Sequence, residues 1–292
     1  MSKNNKIILL LFVFIFGCSI DKRNNNANLQ RRINIAVSIV PQETFVKAVA
    51  EDKVDIITMI PPGKNPGNFA PTPDIMEKFS EANIYFTIGV PTEKASILPK
   101  IWEFNKDVNI IDMADEVSKV YSERKFESGD RDHHIWLSPK RVKVMIRTIA
   151  EELSTIDPSN EKFYQRNAEK YISELDEVDA EIKNSLFSLD KKAFICYHPA
   201  FGYFAEDYGL QMIALENEGK EATIEDFQKT IDLAKKEGIK VVFYQAEIDS
   251  KQTRILASEI DGKAEMIEPL SSEYINNLKK IAETFKKAME VN

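Results

Sequence analysis

The sequence predicts an α/β protein: two parallel-sheet α/β lobes joined by a long backbone helix, with a ligand cleft between the lobes. Three observations carry this expectation. Short apolar, β-branched runs alternate with helical patterns at both ends of the chain, and that alternation builds parallel sheets covered on both faces. Between them, Ser159 to about Leu186 contains neither Pro nor Gly. Finally, about 260 residues follow the polar N-terminal region, enough for one large or two ordinary α/β domains.

In the first lobe, 33–155, "INIAVSIV" (Ile33 to Val40) reads as a buried strand, and "ETFVKAVAED" as a helix. "KVDIITMI" (Lys53 to Ile60) is a second strand, ending at Pro61-Pro62-Gly63. The helix "TPDIMEKFSEA", the strand "NIYFTIG" and the strand "VNIID" (Val108 to Asp112) follow, and "SPKRVKVMIRTIAEEL" is helical. The linking segment is 156–188. Tyr164, Ala168, Tyr171, Leu175, Val178, Ile182 and Leu186 recur at three-four spacing, giving one apolar face. Asp157 and Pro158 predict its start, as cap and first helical residue. Such a helix spans about 40 Å. In the second lobe, 189–292, the strands "KAFICYH", "LQMIAL", "IKVVFYQ" and "KAEMIEPL" alternate with four helices, the last running from Ser272 to Met289.

The N-terminus is set apart from the fold. Lys3 and Lys6 precede the apolar run Ile7 to Phe16, then Gly17 and Cys18. Residues 1–18 describe an export signal, too short to cross a bilayer. Cys18 is the expected lipid-attachment residue, the alternative being a plain signal peptide with an incidental cysteine. Residues 19–32, polar and Asn-rich, predict a disordered tether. The expected location is therefore the cell envelope, periplasmic or on the outer face of the cytoplasmic membrane.

A formal net charge of -8 argues against nucleic acid as a partner. Cys196 is the only cysteine besides Cys18, so no intramolecular disulfide is expected and Cys196 reads as core packing. No P-loop, GxGxxG, GxSxG, HExxH or CxxC occurs, so no enzyme signature is present.

The three histidines are the candidates for chemistry. His133 and His134 lie in "GDRDHHIWLSP", and His198 lies in "ICYHPAFGYF". Neighbouring side chains of an extended segment point opposite ways, so at most one of the pair is expected to be a ligand. His198 follows a strand directly, where open α/β sheets bind ligands. Loop "PPGKNPGNF", Gln245 and Glu247 also follow strands and should open on the same cleft. For each histidine the alternative is a partly buried ring bonded to backbone. Asp130, Asp132, Glu216, Glu218, Glu221 and Glu247 are candidate oxygen ligands or bases without diagnostic spacing.

"PPGKNPGNFAPTP", "DHHIWLSP", "HPAFGYFAEDYGL", "VVFYQAEID" and "IEPL", in this order around a long helix, resemble the zinc/manganese solute-binding lipoproteins of bacterial ABC transporters (ZnuA-like, with the TroA-like fold). The similarity runs from Ile33 to Met289. It implies a non-enzymatic metal carrier that delivers its ion to a permease and its ATPase, tethered to the membrane by a lipid anchor and monomeric. His134 and His198 match two metal ligands, and zinc suits an imidazole-rich site, with manganese or another divalent ion as alternatives. His133 stands where relatives have proline and reads as incidental. The chain departs from the pattern at Gly67, where the family has its first histidine ligand. It departs again at Gln245, in place of glutamate, and at the short "PLSSEYI", which offers only Glu273. No histidine-rich loop occurs between Asp112 and Asp132. A third ligand is then sought in Glu247, Glu216 or Asn68. Three readings follow: a carrier of zinc or a related ion, a carrier of a metal chelate or other small solute, and a surface adhesion lipoprotein with a degenerate metal site.

Overall fold

The computed structural model describes residues 32–217, 219–248 and 251–290. Residues 1–31 lie outside it, and with them the export signal, Cys18 and all of the expected tether except Arg32. Arg32 itself is fastened: its guanidinium donates to Asp55 Oδ1 at 2.8 Å and to the Asp52 carbonyl at 2.6 Å.

The first sheet holds β1 (Ile33–Val37), β2 (Val54–Thr58), β3 (Ile84–Thr87) and β4 (Asn109–Asp112) in the order β2-β1-β3-β4. Every pairing is parallel. Parallel neighbours require crossovers. These are α1 (Val40–Ala50), α2 (Pro73–Phe79) and an irregular run from Glu93 that ends in the short α3 (Ile101–Phe104); α4 (Met113–Ser118) follows β4. Pro41 and Pro73 open α1 and α2, where a missing N–H costs nothing. The second sheet repeats the plan with β5 (Ala193–Cys196), β6 (Gln211–Ala214), β7 (Val241–Gln245) and β8 (Lys263–Ile267), order β6-β5-β7-β8, again parallel. Its helices are α7 (Gly202–Tyr208), α8 (Ile224–Glu237), α9 (Lys251–Glu259) and α10 (Tyr274–Glu290); Gly209 and Gly238 close α7 and α8 in the left-handed conformation that glycine adopts without strain.

Between the sheets run α5 (Pro139–Ile156) and α6 (Glu161–Phe187). The linking helix begins later than its sequence suggests. Pro158–Asn160 form a 3₁₀ turn, because the Asp157 carboxylate accepts from Ser159 Oγ, Asn160 Nδ2 and Tyr164 Oη and draws the chain into a tighter coil. The α6 helix touches both lobes: Asn167 donates to the Val49 carbonyl of α1, and Tyr208 of α7 donates to Asp179. One hydrophobic core joins Ile35, Phe45 and Trp136 of the first lobe to Leu175 of α6 and Phe194, Phe243 and Phe285 of the second. The lobes are therefore not independent cores; the described residues from Arg32 onward pack as one unit. Two further elements had no clear sequence signal: α4, and the Glu93–Phe104 run, whose turns are π, 3₁₀ and α in succession.

Candidate metal centre

In a sheet of order 2-1-3-4, successive connections leave in opposite directions between the two central strands, and the crevice there receives ligands. His198 lies two residues beyond β5, beside the end of β7, because the Tyr197 amide still donates to the Phe243 carbonyl. On the facing side the chain between α4 and α5 delivers His134.

The segment around His134 is not extended. His134 has φ -79° and ψ 35°, and Ile135–Leu137 form a 3₁₀ turn. Trp136 anchors this turn across the lobes: its indole N–H donates to the Pro269 carbonyl at 2.9 Å, while Tyr274 Oη donates to the Trp136 carbonyl at 2.6 Å. The turn overturns the alternation expected for His133 and His134. Their rings lie side by side, centroids 4.2 Å apart and planes tilted by 38°, instead of pointing to opposite faces.

His134 Nε2 and His198 Nε2 face each other at 3.1 Å. Behind each ring stands a carboxylate. Asp132 Oδ1 takes His134 Nδ1 at 2.8 Å and also accepts the His134 backbone N–H at 3.0 Å. Glu216 Oε1 bonds His198 Nδ1 and accepts the Gly219 amide at 3.2 Å. A carboxylate can only accept, so each Nδ1 carries a proton, and in the neutral ring each Nε2 presents a lone pair. Carboxylates that hold ligating histidines from behind fix their tautomer and orientation in this way.

In two neutral rings these lone pairs would repel at 3.1 Å, and a shared proton or a metal cation between them removes the repulsion. With metal–nitrogen bonds of about 2.0–2.1 Å, an ion shared by both would subtend about 98° there, close to tetrahedral. The surrounding charge agrees. Asp132 is met by Arg124 Nε at 3.4 Å, but the only ion pair of Glu216 among the described residues is with His198 itself. Burial pushes the His134 imidazolium below its ordinary range against the opposing pull of Asp132, and burial together with the neighbouring rings pushes His133 well below it. Both rings are therefore neutral at pH 7, the form that binds metals.

The support of Asp132 crosses between lobes. Tyr203 Oη of α7 donates to the Asp132 carbonyl and accepts from the Arg124 amide. Gly202 makes this approach possible: a Cβ there would lie 2.6 Å from Arg124 Nε and 2.8 Å from Asp132 Oδ2. A few residues away, Arg141 Nη1 donates to Asp207 Oδ1 at 3.0 Å, fastening α5 to α7.

The structure brings His134 and His198 together and sets Glu216 behind His198. Glu247 is not brought in; its carboxyl has no hydrogen bond to either histidine, and burial raises its pKa. Gln245 is buried at the end of β7, in the strand next to His198. Asn68 and Glu273 are exposed and bond to neither ring. Gly67 sits in a turn closed by its own N–H on Asn65 Oδ1 at 2.7 Å. Cys196 is buried in β5, where burial raises its thiol pKa, as expected of core packing. Glu218 lies outside the described residues. Asp132 emerges here in a definite role; its spacing two residues before His134 was the available signal.

Sequence reasoning missed a second polar cluster at the central crevice of the first sheet. Glu93, buried, accepts the Ile88 and Gly89 amides at 2.8 and 2.7 Å and bonds Ser38 Oγ. Burial raises its pKa to about 7.

The family model for the periplasmic zinc-uptake complex component A, ZnuA, matches residues 35–288. The high-affinity zinc uptake system protein ZnuA of Bacillus subtilis is 26% identical over 277 residues, 90% of this chain and 87% of its own length. The manganese ABC transporter substrate-binding lipoprotein PsaA of Streptococcus mitis is 26% identical over 262 residues, 87% of this chain and 84% of its own. A crystal structure of ZnuA superposes with a TM-score of 0.83 at 32% identity, covering 88% of this chain and 98% of that one.

Proposed function

The chain belongs to the family of periplasmic zinc-uptake component A proteins, and on that premise we propose that it is an extracytoplasmic lipoprotein that binds a zinc ion between its two lobes and passes it to an ABC permease. The family is one of solute-binding transport proteins and not of enzymes. Relatives carry zinc or manganese, so the choice of ion rests on this chain's own donors.

The observation that supports the reading is the pair of Nε2 lone pairs 3.1 Å apart, each ring held by a carboxylate. Two imidazole nitrogens suit zinc, whereas manganese is better served by carboxylate oxygens, and both carboxylates here are engaged with Nδ1 atoms. The gap admits a single ion and has no room for a chelate between the rings. Cys18 is the proposed lipid attachment, and the lobes 33–155 and 189–292, joined by 156–188, are the proposed functional halves. Among the described residues no helix is long and apolar enough to cross a membrane.

Calorimetric titration of the purified protein at pH 7 should give one zinc ion per chain, with manganese binding weaker. His198→Ala should lose that site. Binding should also weaken as pH falls below the ordinary imidazole range, because a proton competes for the same lone pairs. Absence of stoichiometric zinc uptake by the unmodified chain at neutral pH would overturn the proposal.

A further inference from the structure

An open zinc site takes three protein ligands. His134 and His198 supply two, and Gly67 has no side chain with which to supply another. Among the described residues no three His, Cys, Asp or Glu side chains stand as a finished metal cage. A residue that completes the site must therefore move into it.

We propose that His133 is that residue, so that the ion is held by three imidazoles, His133, His134 and His198. The inference rests on the zinc-carrier reading above. Three features of the site carry it. The rings are contiguous: the His134 centroid is 4.2 Å from that of His133 and 5.0 Å from that of His198. Two imidazoles on one ion have centroids about 5 Å apart, given bonds of about 2.0–2.1 Å. The His134–His198 pair already stands at that spacing. His133, in side-by-side contact, reaches the ion by turning about its own side-chain torsions.

Second, His133 is free to turn. Among the described residues its ring has no hydrogen-bond partner, while His134 and His198 are both pinned through Nδ1. It is only partly buried, lying edge-on to Phe126 and stacked at 6.5 Å from Trp136.

Third, His133 lies on the side of the site served by the Gly67 loop. Its Cβ is 3.8 Å from where a Cβ on Gly89 would stand. Three residues on, the Thr92 amide donates to the Pro66 carbonyl and Thr92 Oγ1 donates to the Phe69 carbonyl, both at 3.0 Å. The 66–69 strap therefore adjoins the 89–92 turn that His133 touches.

The test is zinc-edge X-ray absorption on the full chain loaded with one equivalent of zinc, paired with competitive zinc titration. Three imidazole nitrogens are expected in the unmodified protein and two in His133→Ala, with affinity lower by at least about tenfold, as even outer-shell changes cost that much. His133→Phe, which keeps the ring stacking but cannot ligate, should behave like His133→Ala and hold the fold if the alanine variant does not. Zinc bound with the same imidazole count and affinity in both variants would overturn this inference and leave the carrier reading intact. No zinc in the unmodified chain would overturn both.

Discussion

The two histidine–carboxylate pairs of the site are made of the same parts and held in different ways. Asp132 and His134 are two residues apart on one turn, 1% and 3% exposed. Their carboxylate is backed by Arg124 and their backbone by Tyr203. His198 and Glu216 come from the ends of β5 and β6, 18 residues apart, and the His198 side chain is 19% exposed. Behind Glu216 stands the Gly219 amide and no cation among the described residues. One half is thus fixed by a buried network, and the other stands at the mouth of the crevice with an uncompensated carboxylate.

That contrast can be broken from either side. The largest effects should come from the rings. His134→Ala and His198→Ala should each lower zinc affinity by more than about 100-fold, beyond the range of outer-shell changes. Only His134→Ala should also lower the melting temperature of the zinc-free protein, since it empties a buried position.

The next effect is on stability and concerns the floor of the first lobe. The Glu93 carboxyl titrates at about 7 in the folded chain, against an ordinary value of 4.5. Between those values the folded chain keeps a proton on Glu93 that the unfolded chain releases, so this group's contribution to stability is greatest below about pH 4.5 and is lost as pH rises through about 7. The total change across that window amounts to about 3 kcal/mol, at 1.36 kcal/mol per unit. Glu93→Gln should flatten urea-unfolding free energies across that window; an unchanged slope would assign it to other groups.

Asp132→Asn and Glu216→Gln should each weaken zinc binding by about 10–100-fold. Asp132→Asn should also cost fold stability, because it leaves the Arg124 guanidinium without its buried carboxylate, whereas Glu216→Gln should not. Gly202→Ala acts through the same pair. Its methyl would displace Arg124 or Asp132, so zinc affinity should drop by about tenfold with His198 untouched. The smallest effect expected is a gain: Gly67 does not need a positive φ and only the Asn65 amide crowds it, so Gly67→His should tighten zinc by a few-fold in the same titration.

Much of the fold was legible because it is written in local pattern. β1, β2 and β5 fall within the apolar runs that predict them, trimmed where the chain turns into the following helix or loop. The Glu93–Phe104 run was not legible, since its π, 3₁₀ and α turns share no single period. Of the site, His134 and His198 were identified by motif and strand position. The opposed directions expected of His133 and His134 fail because alternation assumes extended backbone, and the 3₁₀ turn at Ile135 removes that assumption. Glu216 was counted as a ligand candidate; its position behind His198 follows from the pairing of β5 with β6, which no spacing in the chain displays.

By itself the sequence determined two parallel α/β lobes, a long helix between them, an exported N-terminus as an expectation, and two histidines worth following. These depend on residue period, strand-end position and motif, all of which are local. Tertiary structure decided that Nε2 faces Nε2 at 3.1 Å, that a carboxylate stands behind each ring, and that a glycine on α7 lets Arg124 and Asp132 pack beneath His134. The two rings are 64 residues apart in the chain, and only the packing of both lobes onto one core sets the distance between them.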